Sequence, residues 1–94
     1  MVKIVFIGDV YFGDEDFVLD EQIQEKFDES DILVANLEGP ITDRPFTKNY
    51  KCSIKSSPKF SQKLSSYGID IVSLANNHIF DSGLQGFLDT KKSL

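Results

Sequence analysis

Cysteine is nearly missing from this 94-residue chain, in which Cys52 stands alone. No internal disulfide can form, so the fold makes no demand for an oxidising compartment. Tryptophan is absent and His78 is the single histidine. No apolar run approaches the roughly 18 residues that a membrane helix needs. No secretory leader is visible either, because Val2 to Ile7 opens directly as a strand with no cleavage pattern after it. As written the chain reads as soluble and cytoplasmic; an anchor upstream would make it extracytoplasmic. Basic charge is scarce, with 10 Lys and Arg against 15 Asp and Glu and a net charge of −5. That balance argues against a nucleic-acid backbone or an anionic membrane as the main partner, and it suits a site that collects cations. Repeats and low-complexity segments are also absent.

What remains is enough for one domain, residues 1–94. Hydrophobic residues make up 40% of the chain and eight of them are Phe. A chain of this size buries roughly 60–70% of its unfolded surface. Val2 to Ile7 is almost continuously apolar, as expected of a strand covered on both faces. Leu19, Ile23 and Phe27 recur at helical spacing, and Asp20 and Glu21 suit the start of a helix running to Asp28. Asp31 to Ala35 reads as the second strand. Residues 41–57 carry loop signals, with a short edge strand expected over Tyr50 to Ile54. Pro58 fits the first turn of a second helix, with Ser56 or Ser57 as its cap and Gly68 closing it. Phe60, Leu64 and Tyr67 share one face of that helix.

Ile69 to Leu74 reads as the third strand, and a last helix opens at Gly83 with Leu84, Phe87 and Leu88 as its apolar stripe. Strand and helix in alternation predict an α/β fold of three mainly parallel strands with helical crossovers. The expected strand order sets the first strand between the second and the third. Three strands make a thin sheet, so the chain reads as the leading part of a larger layered domain, or as a protein that pairs with a partner.

Each strand ends in polar residues. Asp9 follows the first, Asn36 and Glu38 the second, and Asn76, Asn77 and His78 the third. Parallel strands bring those ends to one edge of the sheet, where open α/β folds bind ligands. Carboxylate, amide oxygen and imidazole form a mixed ligand set suited to a divalent metal such as Mn, Fe or Zn. The acidic run Asp14, Glu15 and Asp16 reads instead as solvated surface.

The sequences Gly8-Asp9, Asn36-Leu-Glu38 and Gly68 to Gly83, with its Ala-Asn-Asn-His-Ile-Phe-Asp-Ser-Gly core, followed by Gly86 to Thr90, resemble the capsule-synthesis (CapA, poly-γ-glutamate synthesis) family. That family belongs to the calcineurin-like metallophosphoesterase superfold. The resemblance implies a two-metal, phosphoesterase-type hydrolase. In it Asp9, Glu38 and Asn77 would be metal ligands and His78 would act on the substrate or its leaving group. Asp81 would orient His78, with Asn36 and Asn76 as further supporting residues. The superfold's Asp-x-His motif is not kept, because Val10 and Tyr11 follow Asp9. Its later histidines have no counterpart here. The implied substrate is a phosphoester or polyglutamate. The alternative is a non-catalytic component of a capsule-assembly complex, joined to partner proteins or to itself.

Overall fold

The computed structural model describes residues 1–47 and 52–94. In chain order it contains β1 (Ile4–Val10), α1 (Glu21–Asp28), β2 (Ile32–Leu37), a 3-10 turn (Pro58–Phe60) running into α2 (Ser61–Ser66), β3 (Ile71–Ser73) and α3 (Gly83–Ser93). Asp20 caps α1 by accepting the Gln22 N–H at 2.8 Å, and Gly68 leaves α2 in the left-handed region at φ +83°. Tyr50 and Lys51, two of the five residues of the expected edge strand, lie outside the described residues, and Cys52 to Ile54 are not in a strand. Nearby, Ser56 makes an isolated parallel bridge with Ile41. None of the described helices is long and apolar enough to cross a membrane.

The three strands form one parallel sheet, as their sequence pattern predicts. Their order is β1-β2-β3, which corrects the expectation that β1 would be central. Side chains on the strand flanks explain the order. Asp31 Oδ2 accepts the Lys3 N–H at 2.6 Å and draws the start of β1 to β2. On the other side, Asp70 Oδ2 accepts the Leu33 N–H at 2.8 Å and sets β3 against β2. The middle strand is accordingly the most buried, with Leu33, Ala35 and Leu37 closed off from solvent.

Strand order also decides which faces are covered. Two crossovers of the same hand that step in the same direction leave their helices on the same side of the sheet. Phe27 of α1 and Leu64 of α2 therefore join Tyr67, which ends α2, in a single apolar cluster with Leu37, Val72 and Val10. Phe12 extends this core, stacked at 5.2 Å on both Phe17 and Phe60. Among the described residues the opposite face is largely uncovered, and β1 is not the doubly covered strand its composition predicts: Ile4 and Phe6 are exposed.

The apolar stripe expected of α3 is likewise not its buried side. Leu84 and Leu88 are exposed, and the helix buries Gly86 and Thr90 instead. Thr90 Oγ1 accepts the Ile41 N–H at 2.9 Å. At Gly86 an added Cβ would stand 2.6 Å from Ser82 Cβ and 3.4 Å from Thr42 Cγ2. This helix thus lies close to the 40–44 segment through small residues. Gly86→Ala is expected to destabilise the protein by about 1–3 kcal/mol, the usual cost of overpacking. A denaturant titration with an unchanged slope would check it.

The acidic run lies on the surface, where Asp16 pairs with Lys63 at 3.0 Å. The hydrogen bond to Lys63 holds the Asp16 carboxyl below its ordinary value. Arg44 and Thr42 do the same for Asp89. A depressed carboxylate contributes stability above its unfolded-state pKa and loses it as pH falls through the folded value. Asp89→Asn is therefore expected to melt below the parent at neutral pH. That difference should fade once the pH drops beneath the ordinary carboxylate range, as a melting series over pH would show.

Candidate functional site

A β-bulge builds the first half of the site. Phe6 pairs with Val34 and Asp9 with Asn36, so β1 carries one more residue than β2 over that interval. Without the extra residue Asp9 would stand opposite Leu37, on the core side. The bulge moves it onto the open face beside Asn36 and returns Val10 to the core. A one-residue slip reverses the side a strand residue faces, and bulges commonly re-aim a side chain in this way.

Asn36 is the hub. Its Nδ2 donates to Asp9 Oδ1 at 2.7 Å and to Glu38 Oε2 at 2.7 Å. Both hydrogens of one amide are used, and two carboxylate oxygens are held no more than twice that distance apart. Glu38 is half-buried and its backbone N–H bonds to Val10 O at 3.0 Å, which joins the ends of β1 and β2. Like charges this close repel, with only the amide dipole between them.

The loop after β3 supplies the second half. Residues 76–82 form successive turns rather than an extended segment, with Asp81 N bonded to His78 O and Gly83 N to Phe80 O. Asn76 fastens this loop to β2. Its Nδ2 donates to Leu37 O at 2.8 Å and to Asn36 Oδ1 at 3.2 Å, while its Oδ1 accepts from Gly39 N and His78 N. Gly39 turns at φ +77° with Ile54 against it, leaving no room for a side chain. Asp9, Asn36, Glu38 and Asn76 thus form one hydrogen-bonded network. Asn77 is exposed and, beside Asn76 of that network, lines a shallow depression of about 570 Å³ with Phe80 and Phe87.

His78 joins through its backbone N–H, which donates to Asn76 Oδ1 at 3.2 Å, and Asp81 holds its ring. Its Nδ1 lies 2.7 Å from Asp81 Oδ2, and that same oxygen accepts the Ile54 N–H at 2.8 Å. An oxygen receiving a backbone donor acts as an acceptor, so Nδ1 carries the hydrogen and Nε2 presents its lone pair. Asp81 is buried, which holds the ring orientation. Since His78 is the sole histidine, its ring nitrogen shifts are unambiguous. They are expected to report the Nδ1–H tautomer in the parent and a return toward Nε2–H in Asp81→Ala. The contribution of Ile54 carries no residue signature, because a backbone N–H is common to almost every amino acid.

The donor chemistry decides which metal these residues could hold. Among the described residues no three of His, Cys, Asp and Glu group as a metal centre. Two converging carboxylates with amide oxygens nearby fit one hard, oxygen-preferring divalent cation that keeps several waters. They do not form a thiolate or multi-histidine centre.

Fold and site together describe an α/β protein with a polar, carboxylate-bearing strand edge. The chain belongs to the family described as "Bacterial capsule synthesis protein PGA_cap", whose pattern matches residues 3–94. It is also 28% identical over 99 residues to the PGA biosynthesis protein CapA of Bacillus subtilis (strain 168), across 90% of this chain and 25% of that protein. The chain therefore spans about a quarter of the length of that curated relative.

Proposed function

We propose that this chain carries a metal-dependent, phosphoesterase-type hydrolytic site in a capsule or poly-γ-glutamate synthesis protein. The observation that supports this best is the single Asn36 amide holding Asp9 and Glu38 together. Two carboxylates gathered at a strand edge are an arrangement that a cation stabilises. Asp9 and Glu38 would hold the cation, with the amide oxygen of Asn77 as a further donor. A divalent ion bound there supplies Lewis acidity and neutralises charge on an anionic ester.

The protein's own groups would do the rest. Asp81 keeps the His78 ring in the tautomer whose Nε2 takes a proton, and once protonated the ring can return it to a leaving oxygen. Asn76 anchors the turn that carries His78 to the end of β2, which limits the ring's displacement relative to the carboxylates. Asn36 keeps both acids pointing outward in readiness for the cation.

The second reading is a non-catalytic component of a polymer-assembly complex with a vestigial site. The sparse donor set favours it, since no third acid, cysteine or histidine joins the carboxylates among the described residues. A hydrolysis screen with a phosphodiester, a phosphomonoester and a polyglutamate, each with and without Mn²⁺, separates the two. The catalytic reading expects metal-dependent turnover that falls about 10²–10⁴-fold in His78→Ala, the usual range for a general acid–base group. Metal uptake without turnover on any of the three would favour the vestigial site.

A further inference from the structure

Asn36 holds the Asp9–Glu38 pair, and Asn36 is itself held one step further back. The two ends of an asparagine amide are alike in shape and opposite in chemistry, because the nitrogen only donates and the oxygen only accepts. For Asn76 the choice between the ends is made by backbone groups, which cannot exchange roles. Leu37 O can only accept, and it takes an Asn76 Nδ2 hydrogen at 2.8 Å. Gly39 N and His78 N can only donate, and both reach Asn76 Oδ1, at 3.3 and 3.2 Å. The second Nδ2 hydrogen then goes to Asn36 Oδ1 at 3.2 Å. That bond turns the Asn36 nitrogen toward the acids, where its two hydrogens take one oxygen from each, Asp9 Oδ1 and Glu38 Oε2. Asp9 Oδ2 and Glu38 Oε1 are left for an ion.

We propose, on the metal-site reading above, that Asn76 sets the cation affinity of the Asp9–Glu38 pair without touching the ion, by fixing the orientation of the Asn36 amide. Asn76 has nothing left to offer an ion itself, since both of its hydrogens are donated and its oxygen already accepts twice. Its part is to carry the polarity of three backbone groups to Asn36 and from there to the carboxylates. Without the Asn76 donor the Asn36 amide turns freely about its last bond. The two like charges then lose the fixed donor between them, and an ion must bring them together again as it binds. Groups that orient ligands from outside the ligand ring act on metal affinity in this way.

The test is a cycle of Asn76→Ala, Asn36→Ala and the double variant, read by calorimetric titration with Mn²⁺. Asn76→Ala is expected to weaken binding roughly 10-fold, the lower end of the usual loss for such a partner. Added to Asn36→Ala, it should weaken binding no further, because the route to the acids is already gone. Equal losses in both backgrounds, or no loss in Asn76→Ala, would overturn the proposal. The His78 ring shifts separate this role from simple support of the turn. Asp81 holds that ring, so Asn76→Ala should keep the Nδ1–H tautomer, and loss of the tautomer together with the affinity would also overturn it. One measurement needs no variant. In the metal-free parent the Asn36 side-chain N–H signals should lie downfield of those of exposed Asn77, and signals at the same position would count against the held amide. A parent that takes up no Mn²⁺ would sink the metal site and the role of Asn76 with it. A parent that binds Mn²⁺ no better than Asn76→Ala would sink the role of Asn76 alone.

Discussion

Mn²⁺ at a hundredfold excess over its dissociation constant is expected to stabilise the protein by about 2.7 kcal/mol, as mass action requires for a ligand that binds only the folded state. For a domain of this size that corresponds to a melting shift of roughly 10–20 °C. The physical source is the Asp9–Glu38 pair. Asn36 brings the two carboxylates together, and folding therefore concentrates negative charge that the unfolded chain keeps apart. A cation between them turns that repulsion into attraction. Asp9→Asn and Glu38→Gln should each remove most of the shift while relieving repulsion in the metal-free protein. Those variants should therefore melt no lower than the parent without metal. No metal-dependent shift in the parent would sink the proposed site. A shift retained in both variants would mean that other residues hold the ion.

Leu37→Ala is expected to cost about 2–5 kcal/mol, the range for a fully buried leucine cut back to alanine. Leu37 is completely buried at the end of the middle strand, in the cluster that joins Val10, Phe12, Ile41 and Leu64. A domain of this length has on the order of 5–14 kcal/mol to lose, and a sheet covered on one face has less apolar burial to draw on. The loss is therefore a large share of the total. It should appear in denaturant unfolding as a lower midpoint with little change in slope. The same substitution at exposed Leu84 should change stability by no more than about 0.5 kcal/mol. That contrast tests the assignment of the two leucines, because the sequence pattern puts Leu84 on an apolar stripe and Leu37 past the end of its strand.

Local pattern made most of the elements legible. Ile23 and Phe27, with Asp20 ahead of them, place α1 correctly, because a cap and a helical period are short-range signals. Pro58, Phe60, Leu64 and Gly68 do the same for the second helical element. The apolar run predicts that β2 ends at Ala35, yet the strand continues through Asn36 and Leu37. There the pairing of Asp9 with Asn36 and of Val10 with Leu37 extends the strand past its apolar run. The stripe on α3 misled for a related reason. Helical periodicity marks an apolar face, but burial belongs to whichever face meets a neighbour. Here the close approach to the 40–44 segment selected Gly86 and Thr90.

The amino-acid sequence by itself determined the α/β class, the parallel strands, the acidic surface and the gathering of polar residues after each strand. These follow from alternation, composition and the rule that parallel strands finish at one edge, none of which requires knowing which strand lies beside which. Only the tertiary structure decided that β2 is central, because Asp31 and Asp70 act across 28 and 37 residues of sequence. That order placed both crossover helices on one face and left the other largely uncovered among the described residues. Tertiary pairing also produced the bulge that turns Asp9 toward Asn36, and it set the Ile54 N–H on the oxygen that holds His78. Each of these is a contact between distant backbone positions, and the one-residue register that aims Asp9 is chosen by pairing with β2 rather than by any pattern within β1.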